Sequence, residues 1–443
     1  MRSALRRSIR IGGRDSRIPR SREVTGAVFP ASPRRRLCAL AALVLIFLLR
    51  AAAQTDSGAK ALCAQAGEIS RDLTEISGMK LRHPVPCDFI SKAKVNEFLK
   101  KRVKEAASPE DIRAEELTLK KFGLVPPDFD LGSNTVDLLT EQAAAFYDYD
   151  RKKLFITDST PSANQEPVLA HELSHALADQ NFHLGRYIRE GRKNDDGSAA
   201  RLAVMEGQAT WLMSEYLARK MGRSLKKTPE LAPAMSGFNE SDGGQFPVFD
   251  NSPLYLRRTL VFPYVEGMLF QNAVVRRDGD AGFAEVFRRA PVSTQQIAHP
   301  DKYFASETPT TPALPEVRLP HGYKSLVGGT LGELDHSVLI EQFAGKEAAE
   351  EMAPHWRGCA FEIRENKKQG RAVLFYAVEW DSEDAARRYF AFYKEALGKK
   401  WKNIVIDAES ADSATGAGDD GRFELRRKGA IVTSAEGLPP EIH

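Results

Sequence analysis

Apolar positions recur at helical spacing through residues 60–78 and 91–122, the second run broken by Ser108-Pro109. Gly123 closes that run, and Pro126-Pro127 forbids its continuation. The short stretches 142–148 and 153–157 flank a polar turn at 149–152 and predict a β-hairpin. Two helices follow, about 165–182 and 199–222, the first with Pro167 in its opening turn. A loop rich in Gly, Pro, Ser and Asn covers 223–252, and a helical pair follows at about 254–276 and 280–289. Four prolines between 305 and 322 predict a linker.

Beyond it the period changes. A helix near 332–350 precedes strands at 359–365 and 371–380, a helix capped by Ser382 to about 397, and strands near 401–407, 422–427 and 429–433. An acidic, Gly-rich loop at 411–421 separates the last three. The expected fold class is α+β: a mainly helical domain with a small β-sheet over 54–304, the linker 305–322, and a small α+β domain over 323–443. There is no internal repeat, and the last domain offers no cluster of chemically reactive residues.

Residues 37–49, LCALAALVLIFLL, follow Arg34-Arg35-Arg36 and precede AAAQ. A basic segment, a short apolar stretch and an Ala-x-Ala site describe a signal peptide over 1–53, cut after Ala53. The stretch falls short of the ~20 residues of a spanning helix, so no stable membrane insertion is expected. An exported chain, periplasmic or extracellular, is the expectation. The leader also distorts the charge. Its 53 residues hold twelve Arg, no Lys and two acids, so the remaining 390 carry 51 basic and 58 acidic side chains. A mildly acidic surface argues against a nucleic-acid partner. Outside the cytosol, Cys63 and Cys87 are either a disulfide or two buried thiols, and Cys359 has no evident partner.

The stretch that carries chemistry is His171-Glu172-Leu173-Ser174-His175. Histidines at i and i+4 lie one helical turn apart and converge on one metal ion. Glu172, 100° round the helix, reaches a metal-bound water and serves as general base. Val168, Leu169, Leu173, Ala176 and Leu177 bury the helix. A catalytic zinc takes three protein ligands. A third histidine ten residues after His171 would need His at 181, with Gly at 178; the chain has Asn181 and Ala178. Glu206, in the apolar surroundings of VMEGQATWL on the next helix, is the better third ligand, with Gly207 permitting close approach of the two helices. Asp179 is its rival, as a ligand, an acceptor behind the ligands or a cap. Donors for a developing oxyanion are sought in Tyr264 and His299, with His183 and Tyr303 behind them.

HELSH followed by Glu206 of EGQAT resembles the gluzincin class of zinc metallopeptidases, over about 140–215. LTEQAAAFYDYDRKKLFITD is also similar to bacterial secreted proteins of uncharacterised function with the same HExxH arrangement, a looser likeness reaching about 304. The resemblance implies a zincin-like fold, a Zn2+ cofactor, a peptide or protein substrate bound along the hairpin edge, and hydrolysis of peptide bonds. Two features depart from it: the gap between ligands exceeds that of thermolysin-like enzymes, and their downstream catalytic histidine motif is missing. The function expected is therefore an exported zinc metalloendopeptidase. The alternatives are a non-catalytic zinc-binding envelope protein, or a latent peptidase blocked by its C-terminal domain.

Overall fold

The computed structural model describes residues 56–157, 162–192, 194–236 and 246–442. The expected signal peptide lies outside the described residues, as does the stretch 237–245. Among the described residues, no helix is long and apolar enough to cross a membrane.

The chain is α+β. Its first part is helical: α1 (Asp56–Ser77), α2 (Lys92–Ala106), α3 (Pro109–Phe122), α4 (Leu131–Gln142), α5 (Ser162–Phe182), α6 (Leu184–Gly191), α7 (Asp195–Lys220), α8 (Ala232–Met235), α9 (Pro247–Asp250), α10 (Leu254–Asp278), α11 (Gly282–Arg288), α12 (Thr294–Ala298) and α13 (Pro300–Phe304). Local chemistry sets the boundaries. Ser108 accepts from the Asp111 amide while the Asp111 carboxylate accepts from the Ser108 amide, a reciprocal cap with Pro109 in the first turn. Helix α5 starts earlier than the pattern predicts, at Ser162, so Pro167 lies inside the helix and not in its opening turn.

Three strands complete this part: β1 (Cys87–Ile90), β2 (Ala145–Asp148) and β3 (Lys153–Thr157), in the order β1-β3-β2. β3 is central, parallel to β1 and antiparallel to β2. The hairpin is the expected one. The four-residue β1 was too short to register as a pattern. A Cys63–Cys87 disulfide ties it to α1, so the disulfide alternative is the one realised, while Cys359 is a buried free thiol.

The second part has β4 (Lys324–Gly329), α14 (Glu333–Ala344), α15 (Lys346–Met352), β5 (Trp356–Asn366), β6 (Arg371–Trp380), α16 (Glu383–Lys400), β7 (Val405–Glu409), β8 (Ser413–Gly418), β9 (Gly421–Lys428) and β10 (Ile431–Leu438). The strands form one antiparallel sheet, β4-β5-β6-β10-β9-β8-β7. The segment expected as a loop at 411–421 contains β8. Its sequence, SATGAG, has no apolar alternation to reveal a strand. Small residues are needed there because a Cβ on Gly418 would stand 2.2 Å from the Trp401 ring.

Leu314, Val317 and Leu319 of the proline-rich segment pack on Val373, Phe375, Ala435 and Leu438 of the sheet. Thr310 also bridges to Gly358. This segment thus covers a sheet face with its apolar residues. The two parts meet along α10 and α14, where the Tyr255 hydroxyl donates to Asp335 Oδ1 at 2.9 Å.

Candidate metal centre

Helix α5 runs against α7. Near one end of the pair the Tyr216 hydroxyl donates to Glu166 Oε1 at 2.6 Å; further along, His171 and His175 face Glu206. All three facing groups are buried. His171 Nε2 lies 3.0 Å from His175 Nε2 and 3.1 Å from Glu206 Oε2, and His175 Nε2 lies 3.3 Å from that oxygen. Among the described residues this is the one cluster of histidine, cysteine and carboxylate groups with metal-holding geometry.

The residues fit a zinc ion. Bonds of ~2.0–2.1 Å at tetrahedral angles place ligand atoms about 3.3 Å apart, close to the spacing found here. Two imidazole nitrogens facing each other at 3.0 Å share at most one proton between them, which leaves a lone pair directed at the common point. Glu206 Oε1 is buried with no partner, as is His171 Nδ1. Two imidazoles and one carboxylate, with a fourth position for water, are a zinc donor set.

The electrostatics follow from burial and mutual proximity. Burial pushes His171 down to about 4, against its hydrogen bond with Glu206. Burial lowers His175 as well, but the Glu206 charge and hydrogen bond outweigh it and hold this imidazole above its ordinary value. Burial raises the Glu206 carboxyl, and His175 and His171 more than compensate, leaving it below the usual carboxylate range. Glu172 makes no such pair. Burial pushes it up to about 8, opposed by the His175 charge and by a hydrogen bond from the backbone amide of Tyr147. A dication at the convergence point favours neutral imidazoles and ionised carboxylates in all four groups.

A third helix completes the wall. A Cβ on Gly207 would lie 2.0 Å from the Gly267 carbonyl carbon, so α7 and α10 touch backbone to backbone. Gly207 therefore serves the α7–α10 contact, not the α5–α7 contact expected from sequence. The close approach brings Tyr264 of α10 against Glu206, to which its hydroxyl hydrogen-bonds. Burial, with the charges of Glu206 and Glu172, holds this phenol well above its ordinary value. The Tyr264 ring centroid lies 6.2 Å from that of His171.

His171, His175 and Glu206 are thus brought together, with Glu172 on the same helix and Tyr264, one of the candidate donors, against Glu206. The other candidate donors lie elsewhere. His299 sits at the α12–α13 junction with its Nε2 2.7 Å from Glu333 Oε1. Its charged neighbours are Glu333, Lys302, Asp301 and Glu266, none of them in the cluster. The catalytic role expected of His299 is corrected accordingly: it joins α13 to α14. Tyr303 donates to the Arg289 carbonyl at 2.7 Å, and His183 precedes α6 with a left-handed φ of 56°. Asp179 is no ligand. Its Oδ1 accepts from the Leu184 amide at 2.9 Å, and its Oδ2 accepts from the Tyr147 hydroxyl at 3.0 Å. Tyr147, whose hydroxyl donates to Asp179, is the neighbour that sequence reasoning missed, because its partner lies 32 residues away.

No family model matches the chain, and no solved structure matches it. It is similar to homoserine O-succinyltransferase of Cupriavidus necator, 22% identical over 231 residues, covering 49% of this chain and 57% of the relative. The homoserine O-succinyltransferase of Cupriavidus metallidurans is 26% identical over 187 residues, covering 39% of this chain and 46% of the relative. The chain spans about half the length of the curated relatives it matches. These similarities overturn the expected activity. The relatives are named as O-succinyltransferases, not as hydrolases, proteases or metalloproteases, so the zinc metallopeptidase is withdrawn together with its two alternatives. The physical reason for the error is specific. An HExxH helix supplies ligands and a base, and these activate an oxygen nucleophile at a carbonyl without dictating which acyl group moves or what accepts it.

Proposed function

We propose that His171, His175 and Glu206 hold a zinc ion in a zincin-like pair of helices, and that the centre serves acyl transfer to an alcohol oxygen. The observation that carries the proposal is the convergence of three buried ligand atoms within 3.0–3.3 Å of one another. The relatives' printed name, an O-succinyltransferase, supports the acyl class. When bound, zinc supplies a Lewis acid at the carbonyl oxygen or the attacking oxygen. Glu172 takes the proton of the acceptor alcohol as its oxygen bonds to the acyl carbon. The same carboxyl then returns that proton to the departing group as the acyl–heteroatom bond breaks, so the products are the new ester and the protonated leaving group. Tyr264, which stays protonated in its buried position beside Glu206, turns its hydroxyl from that carboxylate to the oxygen on which charge develops.

The test is metal content of the purified chain beside Glu206→Ala, about one zinc against clear loss. It is followed by mass-spectrometric detection of acylated alcohol formed from an activated acyl ester. Glu172→Gln keeps zinc and loses turnover. Absence of zinc from the wild type after reconstitution defeats the centre. A zinc-loaded chain that acylates no alcohol leaves the centre standing and defeats the reaction class.

A further inference from the structure

Helix α5, which carries His171 and His175, is gripped at its C-terminal end by a loop that a disulfide closes. Cys63 of α1 is bonded to Cys87, the first residue of β1, across 24 residues. Between them the segment 78–86 lies on the last turn of α5. The Gln180 side chain holds three of its backbone groups. Oε1 accepts from the Arg82 amide at 2.7 Å and the His83 amide at 3.0 Å, and Nε2 donates to the His83 carbonyl at 2.9 Å. Asn181 Nδ2 donates to the Lys80 carbonyl at 3.0 Å. Gln180 and Asn181 follow His175 by five and six residues on the same helix, about 7–9 Å along its axis.

The segment brings little hold of its own. Leu81 and Val85 rest partly buried on the core, while Arg82, His83, Pro84 and Pro86 are exposed. The two prolines have no amide to donate. Beyond them β1 is a four-residue strand at the sheet edge, paired on one side only and parallel to β3. The Leu154 amide adds one bond, to the Pro86 carbonyl at 2.9 Å. So short a parallel pairing is weak by itself, and the covalent closure removes the freedom that the open loop would regain. The bond is also within reach of solvent. Cys63 and Cys87 are both half-buried, whereas the free thiol Cys359 is fully buried.

We infer that the Cys63–Cys87 disulfide is a redox latch on α5, whose opening releases the segment 78–86 and weakens the hold of His171 and His175 on a metal ion. The metal half of this inference rests on the centre proposed above. The chemistry is exchange with a dithiol. One thiolate of the dithiol attacks a sulfur of the pair, the Cys63–Cys87 bond breaks, and a mixed disulfide forms. The second thiol of the reductant then displaces the bound cysteine. Two electrons and two protons pass to Cys63 and Cys87, which end as thiols, and the reductant ends as its own disulfide. With the loop open, Gln180 and Asn181 lose their partners to fluctuation, and the last turn of α5 frays toward His175.

The test treats the folded full chain with dithiothreitol, blocks the freed thiols with iodoacetamide and removes both reagents before metal is added. Two thiols per chain should be alkylated, with Cys359 spared. The Arg82 and His83 amides should then exchange at least about tenfold faster, with Val378 of β6 unchanged. Zinc affinity, read by competition with a chromophoric chelator, should fall by about tenfold or more. The double variant Cys63→Ser, Cys87→Ser should reproduce both effects without alkylation. Should that variant also loosen Val378, Gln180→Ala decides with the disulfide intact: it should speed exchange at Arg82 and His83 and lower zinc affinity. A disulfide that dithiothreitol leaves intact in the folded chain overturns the latch, as does unchanged Arg82 and His83 exchange after reduction. Faster exchange with equal zinc affinity overturns the link to the metal and leaves a tie that serves the fold alone. An oxidised chain that binds no zinc defeats the centre and the metal half with it, while alkylation and exchange still decide whether the loop opens.

Discussion

His336 in the sheet part and His171 in the helical part are both fully buried, and burial pushes each down to about 4. Their surroundings differ. The His336 Nδ1–H donates to the Gly332 carbonyl at 2.8 Å, which makes Nε2 an acceptor for the Tyr376 hydroxyl at 2.7 Å. Tyr389 continues the chain at 2.7 Å. Both ring nitrogens of His336 are used. His171 leaves Nδ1 without a partner and crowds Nε2 against two other acceptors. The acids repeat the contrast. Glu436 is buried and takes hydrogen bonds from Tyr393 at 2.7 Å, Ser434 at 2.9 Å and Lys400. Glu206 is equally buried, with one oxygen unpartnered while two imidazoles and the Tyr264 hydroxyl crowd the carboxylate. Burial and a shifted pKa are common to both regions. What separates a structural network from a ligand site is whether the polar atoms satisfy one another or all face one point.

The largest test of that contrast is in the sheet. Lys400→Met strips Glu436 of its cation and leaves a buried, partly compensated charge. The expected loss of stability is roughly 3–5 kcal/mol in denaturant unfolding. A loss below ~1 kcal/mol would show that the network is no more self-satisfied than the helical cluster.

Next comes the scaffold that brings Tyr264 to Glu206. Gly207→Ala forces a methyl group into the Gly267 backbone, which must move away. About 3 kcal/mol of destabilisation is expected, from overpacking with no flexible side chain to yield. Zinc affinity should fall with it, since α7 carries Glu206 of the proposed centre. A variant with wild-type stability would mean that α7 and α10 do not pack as described.

His336 supplies a pH dependence of about the same size, spread over a window. Its folded pKa, about 4, lies below the ordinary 6.5 of an unfolded histidine. Between those values the unfolded chain binds a proton that the folded chain does not, so stability falls as pH drops from about 6.5 to about 4. The full difference is about 3 kcal/mol, and above pH 7 the curve is flat on this account. Unfolding with chelator present, wild type against His336→Gln, isolates it. Equal slopes in the two proteins would remove His336 as the source.

Much of this was legible in the sequence, and the part that was not has an identifiable cause. The HELSH turn offers two candidate ligands and a candidate base by spacing alone, and Glu206 stands out as a carboxylate among Val204, Met205, Ala209 and Trp211. Tyr264 came into view as a polar group on an apolar helix. His299 looked equivalent until the fold placed Glu333 beside it, a partner 34 residues away that no local pattern reveals. The reading of Gly207 was right about close approach and wrong about the neighbour, because residue spacing tells that two backbones meet without telling which. β8 escaped notice because its small residues are chosen by contact with Trp401, not by alternation. The spacing of ligands and base leaves the reaction class open, because both are shared by many acyl chemistries.

The smallest expected effect discriminates most sharply between the two regions. Glu206→Gln preserves volume and removes a buried charge. In the metal-free chain the hydrogen bonds lost by His171 and His175 are offset by the desolvation no longer suffered. The Glu206 charge that raises His175 above its ordinary value goes with the substitution, so the imidazole is relieved of a partner rather than left as an uncompensated ion. The expected change in unfolding free energy with chelator is therefore within about 1 kcal/mol, while zinc affinity falls by about 100-fold or more. A loss of 3 kcal/mol or more without metal would place Glu206 beside Glu436, as a residue kept for the fold. Near-neutral stability with metal binding abolished is the behaviour of a group buried for a ligand, and only the pair of measurements, made on the same variant, tells the two apart.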